Sequence, residues 1–201
     1  MKQIPPIVLA SQSPRRKQLL EWAEVNFDVV VSHADESFPA NIAPDEAALY
    51  VARNKALAVK AFLTGSEQNH LSGRAILAAD TMVVLNGEII NKPTDRANAI
   101  HILSKLSGQE HLVITGVVIL NVETEIAFAD TTRVQFHPLT EEEIIFYVDK
   151  YQPYDKAGAY AIQEWIGVVG IKAINGDFYN VMGLPVSRVV QALQSGFTQS
   201  R

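Results

Sequence analysis

Two arginines follow the start of a predicted helix, where positive charge is unfavourable for the helix itself. The apolar run at residues 7–10 predicts a buried strand; Ser13 is suited to cap the next helix and Pro14 to open it. Arg15 and Arg16 come next, although cations oppose the positive N-terminal end of the helix dipole. An anion bound at this helix start would resolve the conflict.

This segment carries many hydrogen-bond donors, and phosphate is the anion that they suit best. The N–H groups of the first helical turn, the hydroxyls of Ser11 and Ser13, and the guanidinium groups of Arg15 and Arg16 can all donate hydrogen bonds to phosphate oxygens. The alternative is a capped helix with two solvated arginines. The combination of donors favours phosphate binding over that alternative.

A single carboxylate interrupts an otherwise apolar strand. Asp80 lies inside the run at residues 75–85, where a charge is costly unless it is paired, hydrogen-bonded or bound to a metal. The residues after Asp80 continue the strand pattern without turn residues. We therefore favour a functional aspartate over one that ends a strand and caps a turn.

One lysine belongs to the inward side of a long predicted helix. Residues 44–63 predict this helix, and Lys55 shares the helical spacing of Ala52, Val59 and Phe62. A lysine on that flank either extends to solvent along its own stem or points into a cleft. The sequence leaves both alternatives open.

Two further charged residues indicate a functional site only in combination with the others. Glu36 lies in a polar loop at residues 32–41, and Lys92 precedes the rigid Pro93; alone, each would be a solvated side chain. Glu36 and Asp80 offer hard oxygen ligands suited to Mg²⁺ or Mn²⁺. The side chains that would supply positive charge for phosphates are Lys55, Lys92, Arg15 and Arg16.

The composition limits the classes of protein that fit. With 201 residues, 48% of them hydrophobic, the chain can bury one core or two closely joined lobes. A net charge of −5 argues against a nonspecific nucleic-acid binder, and the lack of cysteine excludes disulfides and thiolate chemistry. The five scattered histidines show no metal-ligand spacing. Without a membrane-length apolar run or a signal-peptide pattern, a cytoplasmic protein is expected.

Strand and helix patterns alternate along the chain, which predicts an α/β fold with a mixed sheet. Asn86-Gly87 predicts a hairpin turn, and Thr140 to Glu143 form a capping-box pattern. Strands are predicted at 7–10, 27–31, 75–85, 88–90, 111–121 and 125–136. Helices are predicted after Ser13, at 44–63, from a Thr94 cap to Gly108, from Thr140 to about Lys150, and after Leu184-Pro185.

In their order along the chain, the motifs resemble the Maf family of nucleoside triphosphate pyrophosphatases. The resemblance runs from residue 9 to about residue 188, so it is more specific than any single motif. The matching segments are residues 11–16, 35–36, 52–56, 79–81, 91–93, 106–108, 115–117, 155–163 and 183–185.

The resemblance implies an enzyme that cleaves a nucleoside triphosphate between its α- and β-phosphates with a divalent cation, Mg²⁺ or Mn²⁺. The products would be a nucleoside monophosphate and pyrophosphate. It implies a single Maf-like domain over residues 1–201 with a Maf/ITPase-like α/β fold, in which an elongated mixed sheet and flanking helices form two lobes around a cleft. It also implies a homodimer and a link to inhibition of septum formation.

The resemblance also implies individual roles. Asp80 would be the catalytic residue, the base that activates water, and Glu36 with Asp80 would bind the metal. The ending Ile162-Gln163 resembles the branch acting on dTTP and UTP, whereas Glu164 departs from the glycine expected there. The positions implied to bind substrate are Ser11, Ser13, Arg15, Arg16, Lys55, Lys92 and Gln163.

Two other functions stay open at this point. The same fold could act on modified or purine nucleotides. Alternatively, the chain could be a non-catalytic regulator of cell division that binds a nucleotide or a protein partner. A buried Asp80 within an acidic and basic set argues against binding alone, because a binding protein has no evident need for it.

Overall fold

Strands and helices alternate along the chain, as the sequence predicts. The computed structural model describes residues 4–31, 33–65, 67–121 and 124–196. Its strands are β1 (Ile7–Leu9), β2 (Phe27–Val29), β3 (Ile76–Leu85), β4 (Glu88–Ile90), β5 (Glu110–Leu120), β6 (Glu125–Phe136) and β7 (Ile171–Asn175). Its helices are α1 (Pro14–Trp22), α2 (Pro44–Thr64), α3 (Arg96–Leu106), α4 (Glu141–Tyr151), α5 (Trp165–Gly170), α6 (Phe178–Met182) and α7 (Val186–Gly196).

The strands form a mixed sheet, which confirms the predicted α/β class. Their order is β2-β1-β3-β5-β6-β7, and β4 pairs with β3. Strand β1 is parallel to both β2 and β3, whereas the β3–β4 and β6–β7 pairs are antiparallel. Ser32, with which the predicted polar loop begins, lies outside the described residues.

The backbone divides into two compact units. The first comprises the described residues of Met1–Asp80, Thr115–Asp130 and Gly183–Arg201. The second comprises those of Thr81–Ile114 and Thr131–Met182. The single domain over residues 1–201 stays a prediction.

The core of the first unit is built on the small-residue face of α2. Ala52, Ala56 and Val59 pack in one cluster with Val8 of β1 and Ile76 of β3. Alanines let a helix backbone approach a sheet closely, so the side chains on the edges of this face stay near the strands. Lys55 is one of these flanking side chains.

Phe62, predicted on the inward side of α2, is 46% exposed, so that prediction is wrong. At 3.6 residues per turn, Phe62 lies about 90° from the centre of the face that Ala52, Ala56 and Val59 define. Leu63, one position later, returns to that face and is fully buried.

In the second unit, the β3–β4 hairpin forms at the predicted dipeptide. Asn86 and Gly87 have φ values of 51° and 85°, and Leu85 pairs with Glu88 across the turn. Two successive positive φ values are typical of the tight turn that matches the twist of the flanking strands. Asn and Gly are the residues that adopt this conformation at the lowest cost.

The helix caps of the second unit are predicted in part. At α4 the Thr140 hydroxyl accepts from the Glu143 N–H, and the Glu143 carboxylate accepts from the Thr140 N–H, which confirms the capping box. At α3 the cap is Asp95, which accepts from the Asn98 N–H, and not the predicted Thr94. The Thr94 hydroxyl instead donates to the Asp95 carboxylate.

His111 is a core residue of the second unit. Its ring meets those of Phe136 and Tyr160 edge-on, and a 2.7 Å hydrogen bond joins its Nε2 to the Tyr160 hydroxyl. Burial lowers the pKa of His111 to about 4 and raises the pKa of Tyr160. Both groups are therefore neutral at physiological pH and contribute to packing.

Candidate active site

In the first unit, the parallel strands β1 and β2 end side by side next to β3, which continues past them, and this arrangement determines which residues meet. In register, Leu9 at the end of β1 pairs with Val29 of β2 and with Leu77 of β3. The carboxyl ends of parallel strands meet at one edge of a sheet, which is where such sheets bind ligands. Here the α1 start follows β1, the loop with Glu36 follows β2, and Asp80 lies three positions beyond Leu77.

The start of α1 has the predicted capped geometry. The Ser13 hydroxyl accepts from the Arg16 N–H at 3.5 Å, and Pro14 occupies the first helical position. The buried Ser11 hydroxyl accepts from the Ser13 N–H at 3.2 Å. Both hydroxyls therefore lie at a helix N-terminus, which is a favourable place for an anion.

Arg16 is buried at this helix start, with 9% of its surface exposed. Its Nε donates to the Gly183 carbonyl at 2.8 Å and its Nη1 donates to the Ser11 hydroxyl at 3.3 Å. Burial lowers the pKa of Arg16, and the charges of Asp80 and Glu36 oppose that shift. A guanidinium stays protonated at neutral pH. Arg16 is therefore a cation that hydrogen bonds to Gly183 and Ser11 hold in place.

Gly183 is a residue that the sequence did not assign to the site. It is separated from Arg16 by 167 positions, and its φ of 118° is one that L side chains rarely adopt. The only sequence signal for it was the Gly-Leu-Pro motif before α7. In the structure this motif holds the Arg16 guanidinium, because the Gly183 carbonyl accepts a hydrogen bond from it.

Lys55 lies between two carboxylates. Its Nζ lies 2.7 Å from the Asp80 Oδ1 and 2.9 Å from the Glu36 Oε1. The side chains of Lys55 and Asp80 are 17% and 16% exposed, whereas that of Glu36 is 55% exposed. Lys55 therefore does not extend to solvent. Its ammonium group contacts both carboxylates, so the two acids face one shared cation position.

Asp80 lies within β3 and does not end a strand. Strand β3 runs without interruption from Ile76 to Leu85, and Asp80 and Thr81 are its only two residues that are not buried. The carboxylate thus emerges from an otherwise buried strand. Pairing with Lys55 offsets the cost of placing a charge there.

The two carboxylates fit a magnesium-type ion that is completed by a phosphate ligand. Mg²⁺ usually keeps several waters and uses one or two carboxylates together with substrate phosphates. Glu36 and Asp80 provide that number of protein ligands. Among the described residues, no three His, Asp or Glu side chains form a group that could hold a metal ion, so phosphate oxygens would have to complete the coordination.

Two predicted site residues belong to the second unit. Lys92 is exposed, two positions after β4 and next to the buried Pro93. Gln163 is exposed in the turn before α5. Thus the first unit holds Ser11, Ser13, Arg15 and Arg16 at the start of α1 and joins Lys55 to Glu36 and Asp80. The roles in the site of these residues, and of Lys92 and Gln163 in the second unit, stay predictions.

The fold is similar to that of a solved protein. The chain superposes on the structure of the Staphylococcus aureus Ham1 protein with a TM-score of 0.51 and 18% sequence identity. The match covers 96% of this chain and all of the Ham1 chain. At this identity the likeness concerns the fold alone, and it agrees with the predicted ITPase-like architecture.

Sequence comparison defines the family. A family model described as Maf-like protein matches residues 6–196, and the chain therefore belongs to the Maf family. A relative from Cytophaga hutchinsonii, named dTTP/UTP pyrophosphatase, is 49% identical over 95% of this chain and 84% of its own length. Relatives of the same name from Bacteroides thetaiotaomicron and Bacillus velezensis are 44% and 43% identical over 94% of this chain, covering 94% and 95% of their own lengths.

No helix in the described ranges is both long enough and apolar enough to cross a membrane.

Proposed function

We propose that this chain hydrolyses dTTP and UTP to the nucleoside monophosphate and pyrophosphate. The observation that carries the proposal is the pair of carboxylates, Asp80 and Glu36, held by one lysine in the same unit as the capped, arginine-containing start of α1. Acidic groups that can hold a cation and basic groups that can hold phosphate are two of the requirements for cleaving a phosphoanhydride, the third being an activated water. The relatives named dTTP/UTP pyrophosphatase support the same activity.

The start of α1 supplies the phosphate contacts. Ser11 and Ser13 each carry a hydroxyl that can donate to a phosphate oxygen, and Arg15 and Arg16 add positive charge. Arg16 is already held by Gly183 and Ser11, so its charge needs no reorganisation when the substrate arrives. A preorganised charge of this kind stabilises the charge that develops on the phosphates during cleavage.

Asp80 is the residue that we assign to water activation. Its carboxylate accepts a proton from the attacking water, the water oxygen bonds to phosphorus, and the α–β phosphoanhydride bond breaks with pyrophosphate as the leaving group. Lys55 holds that carboxylate in place through the 2.7 Å ion pair. The Asp80 carboxylate is therefore positioned before the substrate binds.

Glu36 and Asp80 are the residues that would hold Mg²⁺ or Mn²⁺. When bound, such an ion neutralises charge on the triphosphate and polarises its phosphoryl oxygens. Neutralisation is needed because the chain carries a net charge of −5 and the substrate is itself strongly anionic.

A panel of nucleoside triphosphates tests the proposal. The purified chain is incubated with Mg²⁺ or Mn²⁺ and each triphosphate, and pyrophosphate is detected as phosphate after an added inorganic pyrophosphatase. We expect turnover of dTTP and UTP above that of the other triphosphates. Preferential turnover of modified or purine nucleotides would replace the substrate assignment, and absence of turnover with every triphosphate would favour a non-catalytic regulator.

Gln163 is proposed to select uracil and thymine. These bases present an N3–H donor flanked by carbonyl acceptors, and a glutamine amide offers one acceptor and one donor, so it can pair with that edge at two points. Cytosine presents the reversed pattern. Gln163→Ala should lower kcat/KM for dTTP and UTP by roughly tenfold or more, since leaving a partner unsatisfied costs about 1–3 kcal/mol. CTP turnover should fall much less.

Gln109 provides the matched control for that measurement. It is an exposed glutamine of the same unit, and Gln109→Ala should leave the kcat/KM values of all three substrates unchanged. An equal decrease for UTP, dTTP and CTP in Gln163→Ala would mean that Gln163 is structural or catalytic, and this account of specificity would be wrong.

The proposal also includes Lys92 as a further contact to the triphosphate, a homodimeric enzyme, action in the cytoplasm and the link to septum formation. The Lys92 contact, the homodimer and the link to septum formation are predictions from the family resemblance, and the cytoplasmic location is a prediction from the sequence patterns described above.

A further inference from the structure

Gln163 lies in a tight turn whose two ends meet at one hydroxyl group. The Glu164 N–H donates to the Ala161 carbonyl at 3.1 Å, which closes a four-residue β-turn with Gln163 at its third position. The Ala161 N–H donates to the Tyr147 hydroxyl at 3.1 Å, and that hydroxyl in turn donates to the Glu164 carboxylate.

Tyr147 connects this turn to helix α4. It is fully buried on α4, whose first turn is fixed by the capping box, and it stacks on Tyr151 with ring centroids 5.0 Å apart. The turn is therefore attached at both ends to a buried side chain of a capped helix. No hydrogen bond joins the Gln163 amide itself to another group in the described parts of the chain, so the order around it comes from its backbone.

Three further features restrict the same turn. Lys156 is buried, and its Nζ lies 2.7 Å from the Asp155 carboxylate and 3.7 Å from the Glu164 carboxylate, so its positive charge is shared between the two acids. A Cβ on Gly167 would lie 1.7 Å from the Ile162 carbonyl oxygen, so α5 packs directly against the turn. Upstream, Ala159 has a φ of 58°, a strained value for alanine that persists only where the surroundings enforce it.

We propose that Tyr147 and Glu164 are positioning residues that fix the turn around Gln163 and thereby determine how strongly the enzyme discriminates uracil from cytosine. The proposal rests on the proposed role of Gln163. It assigns a purpose to Glu164, which replaces the glycine expected at this position: a carboxylate here provides a second attachment to α4 that glycine cannot provide. A fixed turn restricts the approach of the Gln163 amide to the base, whereas a loose turn would let the amide adapt to either pyrimidine edge.

The test compares the ratio of kcat/KM for UTP to that for CTP in matched variants. Tyr147→Phe removes the shared hydroxyl and should lower this ratio by about threefold to tenfold, the effect of one or two net hydrogen bonds. Tyr151→Phe, on the same helix, should leave the ratio unchanged. Glu164→Ala should lower the ratio, whereas Glu164→Gln, which keeps an oxygen acceptor for Tyr147, should retain most of it.

A double-variant cycle separates positioning from general loss of structure. In a Gln163→Ala background, Tyr147→Phe should not change the UTP-to-CTP ratio further, because the group it positions is gone. If Tyr147→Phe does not fold, the Glu164→Ala and Glu164→Gln pair carries the same test, and equal ratios in these two variants would overturn the proposal.

Two kinds of failure can be told apart. If Gln163→Ala abolishes the preference while Tyr147→Phe and Glu164→Ala both keep the wild-type ratio, the positioning proposal is wrong and the role of Gln163 stands. If the wild type shows no preference for UTP over CTP, or Gln163→Ala leaves the preference intact, the role of Gln163 is wrong and the positioning proposal falls with it.

Discussion

Asp80→Asn should lower kcat for UTP and dTTP by about 10²–10⁴-fold, the usual effect of losing a general base. The substitution keeps the shape of the side chain and removes its charge and basicity. Folding should survive, because Lys55 keeps its ion pair with Glu36 at 2.9 Å. Steady-state kinetics and thermal unfolding of the same preparations measure the two effects separately.

Asp28→Asn is the matched control for Asp80→Asn. Asp28 is an aspartate of β2, in the same sheet, and it pairs with Arg74. Removing the Asp28 charge should leave the turnover of UTP and dTTP unchanged. Near-normal turnover by a folded Asp80→Asn protein would refute the role assigned to Asp80.

The metal dependence of these variants separates the two tasks that Asp80 could perform. If its main contribution is proton acceptance, raising the Mg²⁺ concentration should restore Glu36→Gln more than Asp80→Asn. Equal restoration of both would indicate that Asp80 acts chiefly as a metal ligand.

Arg16→Met should lower kcat/KM by roughly 10²–10³-fold, as observed when a preorganised donor to developing charge is removed. The variant should also lose about 1–3 kcal/mol of unfolding free energy, because the Gly183 carbonyl loses the donor that satisfies it. Kinetics at a temperature well below the unfolding transition isolates the first effect from the second.

Two comparisons make the Arg16 prediction specific. Lys17→Gln, one position further along α1, removes a cation outside the proposed site and should leave kcat/KM unchanged. Arg16→Lys restores the charge without the two-point attachment to Gly183 and Ser11, so it should recover only part of the activity. Full activity in folded Arg16→Met would show that Arg16 serves stability alone.

The sequence predicts the local features of the site well because each has a short-range cause. The capped start of α1 follows from Ser13 and Pro14, and the continuation of β3 past Asp80 follows from the apolar residues on either side. The β-hairpin follows from Asn86-Gly87. In each case the determining interactions lie within a few positions of one another.

What the sequence leaves open depends on contacts between distant segments. Helical spacing lets Lys55 either extend to solvent or point into a cleft, and its contacts with Asp80 of β3 and with Glu36 decide between the two. The attachment of Arg16 to Gly183 spans 167 positions, and no local pattern encodes it. Likewise, the sequence shows Glu164 only as a departure from a family pattern, whereas the fold places its carboxylate against the Tyr147 hydroxyl.

The wrong predictions have local physical reasons. Phe62 fits the spacing of an inward stripe, but it lies at the edge of that stripe and Leu63 takes the buried position. Thr94 and Asp95 are both good cap residues in adjacent positions. Asp95 caps α3, and Thr94 supports it with a hydrogen bond.

The identity of the products of UTP cleavage tests the central claim most directly. The purified chain is incubated with UTP and Mg²⁺ without any added phosphatase, and the nucleotide and phosphate products are separated by ion-exchange chromatography. Cleavage between the α- and β-phosphates predicts UMP and pyrophosphate in equal amounts. UDP and orthophosphate as the first products would contradict it.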